Sequence, residues 1–514
     1  MSPYVGGKSG RSSGIWCFPV EIAEPLTPAR LEAVARGGAP PALDGAARER
    51  IGAARRVVED AVARGDAVYG VTTGIGELAS VRIDPADAER LQLNLLRSHA
   101  VGAGEPLSEE VVRGMVLLLA ASLARGHSGV RAELVELLLA LLERNVVPVV
   151  PSRGSVGSSG DLAPLAHLAL VLVGEGEAIF GGRRSSGSEA LRAAGLQPLR
   201  LTAKEGLALI NGTHLMAAVG TLATTDARRV LNAAITACAL SLEAFKGSTV
   251  PFDARLQEVR PQPGQARVAA RLRELLEGSE VVASHADCGR VQDPYTLRCA
   301  PQALGAVGDA LDYVSAALER ELAAVTDNPL VFPADGDVIA GGNFHGQPLS
   351  LPLDHLALAL TELASYSERR TYALLSPSYA ELPRFLSPTP GLGTGLMIAQ
   401  YAAAALVNEC QVLAHPAGAG SIPTSAGQED FNSMGAWAAL KARTVVEHAA
   451  RVVATELVCA CQGLEFHRPL RTTPPLEEAV EKVRAIVPRV EEDRSLAAQI
   501  GRLADAVRTG ELAL

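Results

Sequence analysis

The chain is poor in the features that secreted and nucleic-acid-binding proteins depend on. Aromatic residues make up only 4% of its 514 residues, and its seven cysteines are scattered without a C-x-x-C pair. Such cysteines are typical of reduced thiols in a cytoplasmic protein, most of them in the core. The net charge is −10 at pH 7 without any run of basic residues. We therefore expect a cytoplasmic protein with no nucleic-acid partner.

Long uninterrupted hydrophobic segments are also missing. The longest charge-free stretch, residues 385–408, carries two prolines and three glycines in its first half. That is too interrupted for a membrane span, so we expect no membrane partner. Histidines are isolated as well, and none belongs to an H-E-x-x-H motif or to a His/Cys cluster, so the sequence predicts no metal site.

Helical patterns dominate what is present. Residues 302–325 carry apolar side chains at gaps of three and four, which predicts one buried stripe of a long helix. Residues 354–375 and 436–466 are also predicted as long, mostly buried helices. The Ala-rich residues 396–407 predict a helix packed on all sides, in a large bundle or an oligomer, and residues 146–150 predict a short strand. The fold class is therefore mainly α, an elongated central helical bundle with loops that carry the chemistry.

The segment GSVGSSGDLAPLAH, which begins at Gly154, concentrates backbone freedom directly before Asp161. One interpretation is a turn capped by Asp161 at the start of a helix. A second is an anion cradle of backbone N–H groups. The glycine spacing G-x-x-G-x-x-G matches neither a Rossmann fingerprint nor a P-loop.

A third interpretation is that the backbone itself reacts. The Gly160 nitrogen can attack the Ser158 carbonyl carbon, because glycine has no Cβ to prevent so tight a fold. Loss of water from the ring and from the Ser159 side chain then gives a conjugated exocyclic methylene, which is a strong electrophile. Asp161 is placed to move protons during this dehydration. The spacing by itself favours the capped turn.

Resemblance to a known family changes that balance. The segment resembles the signature of the aromatic amino-acid ammonia-lyases and aminomutases, which build 4-methylideneimidazole-5-one (MIO) from Ala-Ser-Gly. Other segments match the family in the same order, namely VYGVTTGIG (68–76), LQLNLLRSHAVGAGEPL (91–107), INGTH (210–214), QDPYTLRCAPQ (292–302), TDNPL (326–330), GGNFHGQ (341–347) and IPTSAGQEDFNSMG (422–435). The match spans nearly everything after residue 20 and is most similar to histidine ammonia-lyases.

The resemblance implies one continuous lyase fold and an internal prosthetic group. The expected organisation is a flexible tail over residues 1–20, an MIO-bearing active-site region over 21–215, and a long-helix bundle with C-terminal helices over 216–514. The MIO would form autocatalytically from Ser158-Ser159-Gly160, with no external cofactor. Ser158 departs from the family's usual Ala and would leave a hydroxyl on the ring substituent. The assembly implied is a homotetramer whose active sites are built from three chains.

Roles for individual residues follow from the same resemblance. Tyr69 matches the base that removes the β-proton, and its pKa is expected to be lowered by positive neighbours. Arg298 matches the residue that pairs with the substrate carboxylate, for which its planar fork is suited. Tyr295 is expected beside it, with a part in proton handling. Asn211 matches the amide that positions the ring and the carboxylate.

Further positions concern the walls of the site and the side chain of the substrate. Gln292 and Phe344 match site-lining residues of the family. The pair Ser98-His99 and the segment around Glu429 resemble histidine ammonia-lyases, and His99 with Glu429 would recognise the imidazole donor and acceptor. Phe431 departs from the His that commonly follows in those enzymes.

Glu77 points to a different activity. A Glu after T-G-x-G resembles tyrosine 2,3-aminomutases, in which an acid near the amine would help to return it to the β-carbon. A solvated loop acid explains it equally well. The leading hypothesis is an ammonia-lyase that converts L-histidine to trans-urocanate. The alternatives are a tyrosine or histidine 2,3-aminomutase, a tyrosine ammonia-lyase, and a non-catalytic homologue.

Overall fold

The computed structural model describes residues 22, 24–286, 290–376 and 382–512 of the chain. The tail predicted for residues 1–20 lies outside them. The α-helices of the described residues are α1 Pro28–Ala35, α2 Gly45–Arg64, α3 Ala88–His99, α4 Glu109–Ala124, α5 Ala132–Arg144, α6 Leu162–Leu172, α7 Gly187–Ala193, α8 Glu205–Ile210, α9 His214–Phe245, α10 Ala254–Glu258, α11 Pro263–Leu276, α12 Glu280–Ala283, α13 Tyr295–Arg298, α14 Ala300–Leu322, α15 Gln347–Leu375, α16 Met397–Leu413, α17 Gly435–Glu465, α18 Pro474–Ile486 and α19 Ala497–Thr509.

Short antiparallel strands occur between the helices. They are β1 Ala103–Pro106, β2 Val147–Pro148, β3 Pro151–Arg153, β4 Glu177–Phe180, β5 Arg183–Ser186, β6 Leu330–Phe332 and β7 Asp337–Ile339. The strand β1 pairs with β3, β4 lies between β2 and β5, and β6 pairs with β7. The strand predicted over residues 146–150 is thus present in shortened form as β2, and β3 lies between it and the serine-rich segment.

The long helices α9, α15 and α17 form the centre of the bundle. Small residues let them approach closely, and a Cβ on Gly220 of α9 would lie 2.8 Å from Leu353 Cδ2 of α15. All three helices meet at the buried carboxylate of Glu456. Arg370 Nε and Nη2 lie 2.5 and 2.7 Å from its two oxygens, and the Ser241 hydroxyl donates to it at 2.7 Å. The charge of Glu456 is therefore paired and hydrogen-bonded away from water, as a buried charge has to be.

The helices predicted from apolar periodicity are observed, although α14 ends at Leu322 rather than at 325 and α15 begins at Gln347 rather than at 354. The stripe over 302–325 lies in α14, and the segments 354–375 and 436–466 lie in α15 and α17. The mainly α fold class is confirmed.

One packing prediction is not met within the chain. The segment 396–407 was expected to be packed on all sides, but α16 buries only Ala403, Val407 and Cys410. The opposite face leaves Tyr401 59% and Val412 71% exposed. An Ala-rich pattern indicates that a helix is buried. It does not show whether the surface that covers the helix belongs to the same chain or to another copy.

Three further findings concern the described part of the chain. No helix in it is long and apolar enough to cross a bilayer. No group of three or more His, Cys, Asp and Glu side chains in it is arranged to hold a metal ion. The cysteines that it includes form no disulfides, and four of them, Cys238, Cys410, Cys459 and Cys461, are buried.

Candidate active site

Six of the residues singled out in the sequence line a single cavity of about 540 Å³, and they are Tyr69, His99, Ser159, Asn211, Phe344 and Glu429. They come from loops and helix ends that are far apart in the chain. The apolar side chains of α3 and α8 complete the wall. A cavity of this size suits a small-molecule ligand surrounded by a few convergent polar groups.

The serine-rich segment forms the floor of this cavity. Ser159 lines the cavity, whereas Ser158 is buried beneath it. Gly160 has φ +80°, and a Cβ there would lie 2.1 Å from the Gly212 carbonyl oxygen. Only glycine tolerates both that left-handed conformation and that close approach. The backbone freedom of the segment is therefore used at Gly160, the residue whose nitrogen would close a ring.

Asp161 differs from the capped-turn interpretation. It occupies the N-cap position of α6, but its side chain makes no capping bond to that helix. Its Oδ2 instead accepts the N–H groups of Leu215 and Met216, at 2.9 and 3.1 Å, at the start of α9. Its Oδ1 accepts the Ser155 hydroxyl at 2.9 Å. Asp161 thus caps α9 and ties the serine-rich segment to it.

Burial raises the pKa of Asp161 to about 7, although hydrogen bonds from Met216, Ser155 and Leu215 lower it. The nearby charge of Glu321 raises it further. A carboxyl group with a pKa near neutrality can both release and accept a proton at physiological pH. This matches the proton-moving role that the sequence suggests for Asp161.

Tyr69 lies on the loop that covers the cavity. Its hydroxyl accepts the N–H of Gly76 at 3.0 Å, which holds the ring against the loop. Burial raises its pKa, the Gly76 bond lowers it, and the charge of Glu429 raises it. The sequence analysis expected a lowered pKa, but the cationic Arg298 lies at another pocket of the same chain.

Glu429 lies close to Ser159. Its Oε1 accepts the Ser159 hydroxyl at 3.3 Å, and its Oε2 accepts the Thr424 hydroxyl at 2.6 Å. Its charge also raises the pKa of both Tyr69 and His99. Glu429 therefore joins the floor of the cavity, at Ser159, to the side of the cavity that holds Tyr69 and His99.

His99 presents an acceptor to the cavity. Its Nδ1 lies 2.9 Å from the Leu95 carbonyl oxygen, which can only accept, so Nδ1 carries the hydrogen. Burial lowers the pKa of His99, against the Leu95 bond and the Glu429 charge, which raise it. A neutral His99 with its hydrogen on Nδ1 leaves Nε2 to accept an N–H from a ligand.

Asn211 ends α8 at the edge of the serine-rich segment. Its side-chain Nδ2 donates to the Leu207 carbonyl at 3.0 Å and to the Asn328 carbonyl at 3.4 Å. The side chain is 4% exposed, so these bonds fix its orientation.

Three predicted site residues lie elsewhere in the single chain. Gln292 and Arg298 line a different pocket, of about 350 Å³, with Ser248 and Gln302. Arg298 Nε is buried there without a hydrogen-bond partner among the described residues. Tyr295 is 67% exposed, and the Arg298 guanidinium lies 4.6 Å from its ring centroid. One chain does not bring the expected carboxylate-binding arginine to its own Ser159.

Glu77 also lies outside the cavity. It sits on a 3₁₀ turn, Gly76–Leu78, and it is exposed. Its neighbours Gly76 and Leu78 line the cavity, but Glu77 does not. This orientation agrees with the solvated loop acid and gives no support to a role beside the amine.

Sequence reasoning missed one buried residue that braces the site. Gln92 of α3 is fully buried, and its Nε2 donates to the Gly70 carbonyl at 3.1 Å while its Oε1 accepts the Leu207 N–H at 3.0 Å. It joins the backbone next to Tyr69 to helix α8. A signal was available, since Gln92 is a polar residue at helical spacing from the apolar Leu95 and Leu96.

The arrangement matches known proteins along almost the whole chain. The family model for aromatic amino acid lyase matches residues 26–485. The histidine ammonia-lyase of Anaeromyxobacter sp. (strain K) is 53% identical over 500 residues, covering 96% of this chain and 98% of that protein. The histidine ammonia-lyase of Koribacter versatilis (strain Ellin345) is 50% identical over 487 residues, covering 92% of this chain and 94% of that protein.

Solved structures agree in fold. The crystal structure of histidine ammonia-lyase from Trypanosoma cruzi aligns with a TM-score of 0.88 and 42% identity, covering 95% of this chain and 92% of that one. The tyrosine aminomutase from Streptomyces globisporus aligns with a TM-score of 0.91 and 35% identity, covering 96% and 98%. The same architecture thus occurs in proteins named for two different reactions.

Proposed function

This chain belongs to the aromatic amino acid lyase family, and on that premise we propose that it is a carbon–nitrogen lyase that eliminates ammonia from L-histidine to give trans-urocanate. Histidine ammonia-lyases that share about half of its residues over nearly their whole length support this substrate. The observation that carries the proposal is that His99 and Glu429 line the same cavity as Ser159.

The residues of the floor fit an MIO group. Gly160 has no room for a Cβ, and Ser159 directs its hydroxyl into the cavity, where it donates to Glu429. When formed, the ring supplies an electrophilic methylene that turns the substrate amine into a better leaving group. Ser158, Ser159 and Gly160 would hold it. Asn211, fixed by the Leu207 and Asn328 carbonyls, would position its edge.

Side chains around the floor would orient the substrate and move its protons. His99 Nε2 accepts one N–H of the imidazole, and the Glu429 carboxylate is a second acceptor at the same cavity. Two acceptors suit the protonated ring of histidine, which has two N–H donors, rather than the donor and acceptor of the neutral ring that the sequence led us to expect. The Tyr69 hydroxyl is assigned to the β-proton, and Phe344 closes the wall.

The substrate carboxylate requires a residue that the chain does not place at its own cavity. We propose that Arg298, with Tyr295 and Gln292, is supplied by another copy of the chain in a homotetramer with shared sites. The unpartnered Nε of Arg298 and the exposed apolar face of α16 support this assembly. The cysteines within the described residues are scattered and form no disulfides, which favours a cytoplasmic location.

Product analysis tests the proposal. The protein is incubated separately with L-histidine, L-tyrosine and L-phenylalanine, and early products are separated by chiral chromatography. We expect urocanate from histidine with no β-amino acid. A β-amino acid present from the start would assign an aminomutase, and coumarate as the main product would assign a tyrosine ammonia-lyase.

A further inference from the structure

The backbone of Gly212 packs directly against the ring-forming residues. Its N–H donates to the Ser159 carbonyl at 3.3 Å, and its carbonyl accepts the Asp161 N–H at 2.8 Å. Gly160 and Gly212 are therefore paired like residues of two parallel strands. These bonds use the groups on either side of Gly160 and leave its own nitrogen, the nucleophile of ring closure, out of the pairing.

Gly212 is itself enclosed from behind. A Cβ on Gly212, which has φ +114°, would lie 2.5 Å from both His214 Cε1 and Thr326 Oγ1. Thr326 Oγ1 also accepts the N–H of Thr213 at 3.3 Å. Burial lowers the pKa of His214 to about 4, so the imidazole that packs against Gly212 is neutral at physiological pH. Gly212 thus lies between Gly160 on one side and the side chains of His214 and Thr326 on the other.

One side-chain hydrogen bond joins the segment next to Gly212 to the helical bundle. The Thr213 hydroxyl donates to the carboxylate of Glu321, which lies in the last turn of α14 and 108 residues away in sequence. Burial raises the pKa of Glu321, against the Thr213 bond, which lowers it. Glu321 does not line the 540 Å³ cavity, and the elimination chemistry assigns it no part.

Ring closure depends on how the chain holds two atoms together. A bond forms between the Gly160 nitrogen and the Ser158 carbonyl carbon. The Ser158 oxygen leaves as water with the amide hydrogens of Ser159 and Gly160. The Ser159 hydroxyl leaves as a second water with the Ser159 α-hydrogen. No oxidant or other reactant is consumed. Fixing the two atoms in contact is therefore a way in which the fold can accelerate the reaction, alongside proton transfer by Asp161.

We propose that Glu321 and Thr213 are a positioning pair for ring closure, which holds Gly212 against Gly160 and so sets the backbone in the shape that cyclises. The inference rests on the proposed function, because it requires that Ser158-Ser159-Gly160 become an MIO. Neither residue touches the substrate. Their effect is on the rate at which the prosthetic group appears, and the turnover of a completed site does not depend on them.

Intact mass of the folded protein, followed with time after synthesis, tests the pair. The readout is the fraction of chains lighter than the encoded mass by two waters. We expect Glu321→Ala and Thr213→Val to close the ring at least about tenfold more slowly, because the geometry is less well held. Thr213→Ser keeps the hydroxyl and is expected to mature like the parent. Glu321→Gln keeps an acceptor but removes the charge that raises the pKa of Asp161. Maturation of Glu321→Gln like the parent assigns the effect to the bond, whereas maturation as slow as that of Glu321→Ala assigns it to the charge and overturns the positioning role. Glu319→Ala, an exposed Glu on the same helix, is the matched control.

A purely structural bond gives a different pattern. It would lower the melting temperature of Glu321→Ala and Thr213→Val without changing the fraction of closed rings, and that result overturns the inference. Turnover per ring-containing subunit, and KM, are expected to match the parent. If Glu321→Ala yields no folded protein, the Thr213→Val and Thr213→Ser pair decides, since Val and Thr have nearly the same shape.

The parent chain separates this inference from the function on which it rests. A parent with the full encoded mass overturns the proposed function, and the pairing with it. A parent that lacks two waters, together with variants that lose them equally fast, overturns only the pairing.

Discussion

The floor of the cavity and the segment 292–302 contrast sharply within one chain. The floor is tied by backbone pairs between Gly160 and Gly212 and by the buried Asp161, all from the same chain. The segment that holds Arg298 lies at another pocket, with a buried nitrogen that lacks a partner in the described structure. Under the proposed function, this difference means that one chain holds the residues that would form the prosthetic group, whereas the arginine for the substrate carboxylate would come from another copy.

The largest expected effect comes from the floor. Ser159→Ala removes the hydroxyl that leaves as water, so the exocyclic methylene cannot form and the electrophile is lost. We expect activity on histidine to fall to background and the intact mass to return to the encoded value. A Ser159→Ala protein that keeps both its activity and a mass deficit would place the electrophile elsewhere.

Discrimination between substrates is the next largest effect. His99 and Glu429 are half-buried polar groups of the cavity, and a phenyl ring offers them no hydrogen bond in place of those from an imidazole. We expect kcat/KM for phenylalanine to be about 10⁴-fold below that for histidine. His99→Leu is expected to lower kcat/KM for histidine much more than for phenylalanine. Comparable turnover of both amino acids by the parent would contradict the roles of His99 and Glu429.

Removal of the assigned base has a smaller effect. Tyr69→Phe loses the hydroxyl but keeps the ring, and loss of a general base lowers the rate by about 10²–10⁴-fold. The mass deficit of two waters is expected to remain, which shows that the floor is intact. Steady-state kcat with histidine is the measurement, and a value within a few-fold of the parent would move the base to another group.

The bundle is expected to affect stability while the chemistry stays intact. Arg370→Met leaves the Glu456 carboxylate buried without its ion-pair partner, which costs about 3–5 kcal/mol of unfolding free energy. Arg370→Met/Glu456→Leu removes both charges and is expected to recover much of that loss. Denaturant midpoints measure both variants. A single variant as stable as the parent would show that this pair does not hold α15 to α17.

Features set by neighbouring residues could be predicted from the sequence, whereas contacts between residues far apart in the chain could not. The apolar stripe of α14 and the glycine at position 160 are set by spacing and backbone conformation, which are local properties. The bond between Thr213 and Glu321 joins residues 108 positions apart, and no local pattern marks it. The outward direction of Glu77 depends on how its turn packs, which its residue type does not specify.

The incomplete predictions share one physical cause. The Ala-rich α16 has the composition of a buried helix, yet in one chain part of its surface remains exposed. The segment with Arg298 matches the family's active site, yet in one chain it lines a different pocket from Ser159. Hydrophobic patterning indicates that a surface is buried in the functional protein. It does not indicate which copy of the chain buries that surface, because the same kinds of contact stabilise a core and a permanent interface.

Mixing two inactive variants tests most directly whether sites are shared between copies. Ser159→Ala and Arg298→Ala are each expected to be inactive on histidine. If one copy supplies the floor and another supplies the arginine, co-expressed chains that assemble at random contain sites with both intact residues. We expect such mixtures to recover about a quarter of parental activity. Mixed assemblies, verified by mass, that remain as inactive as either variant would contradict the shared site.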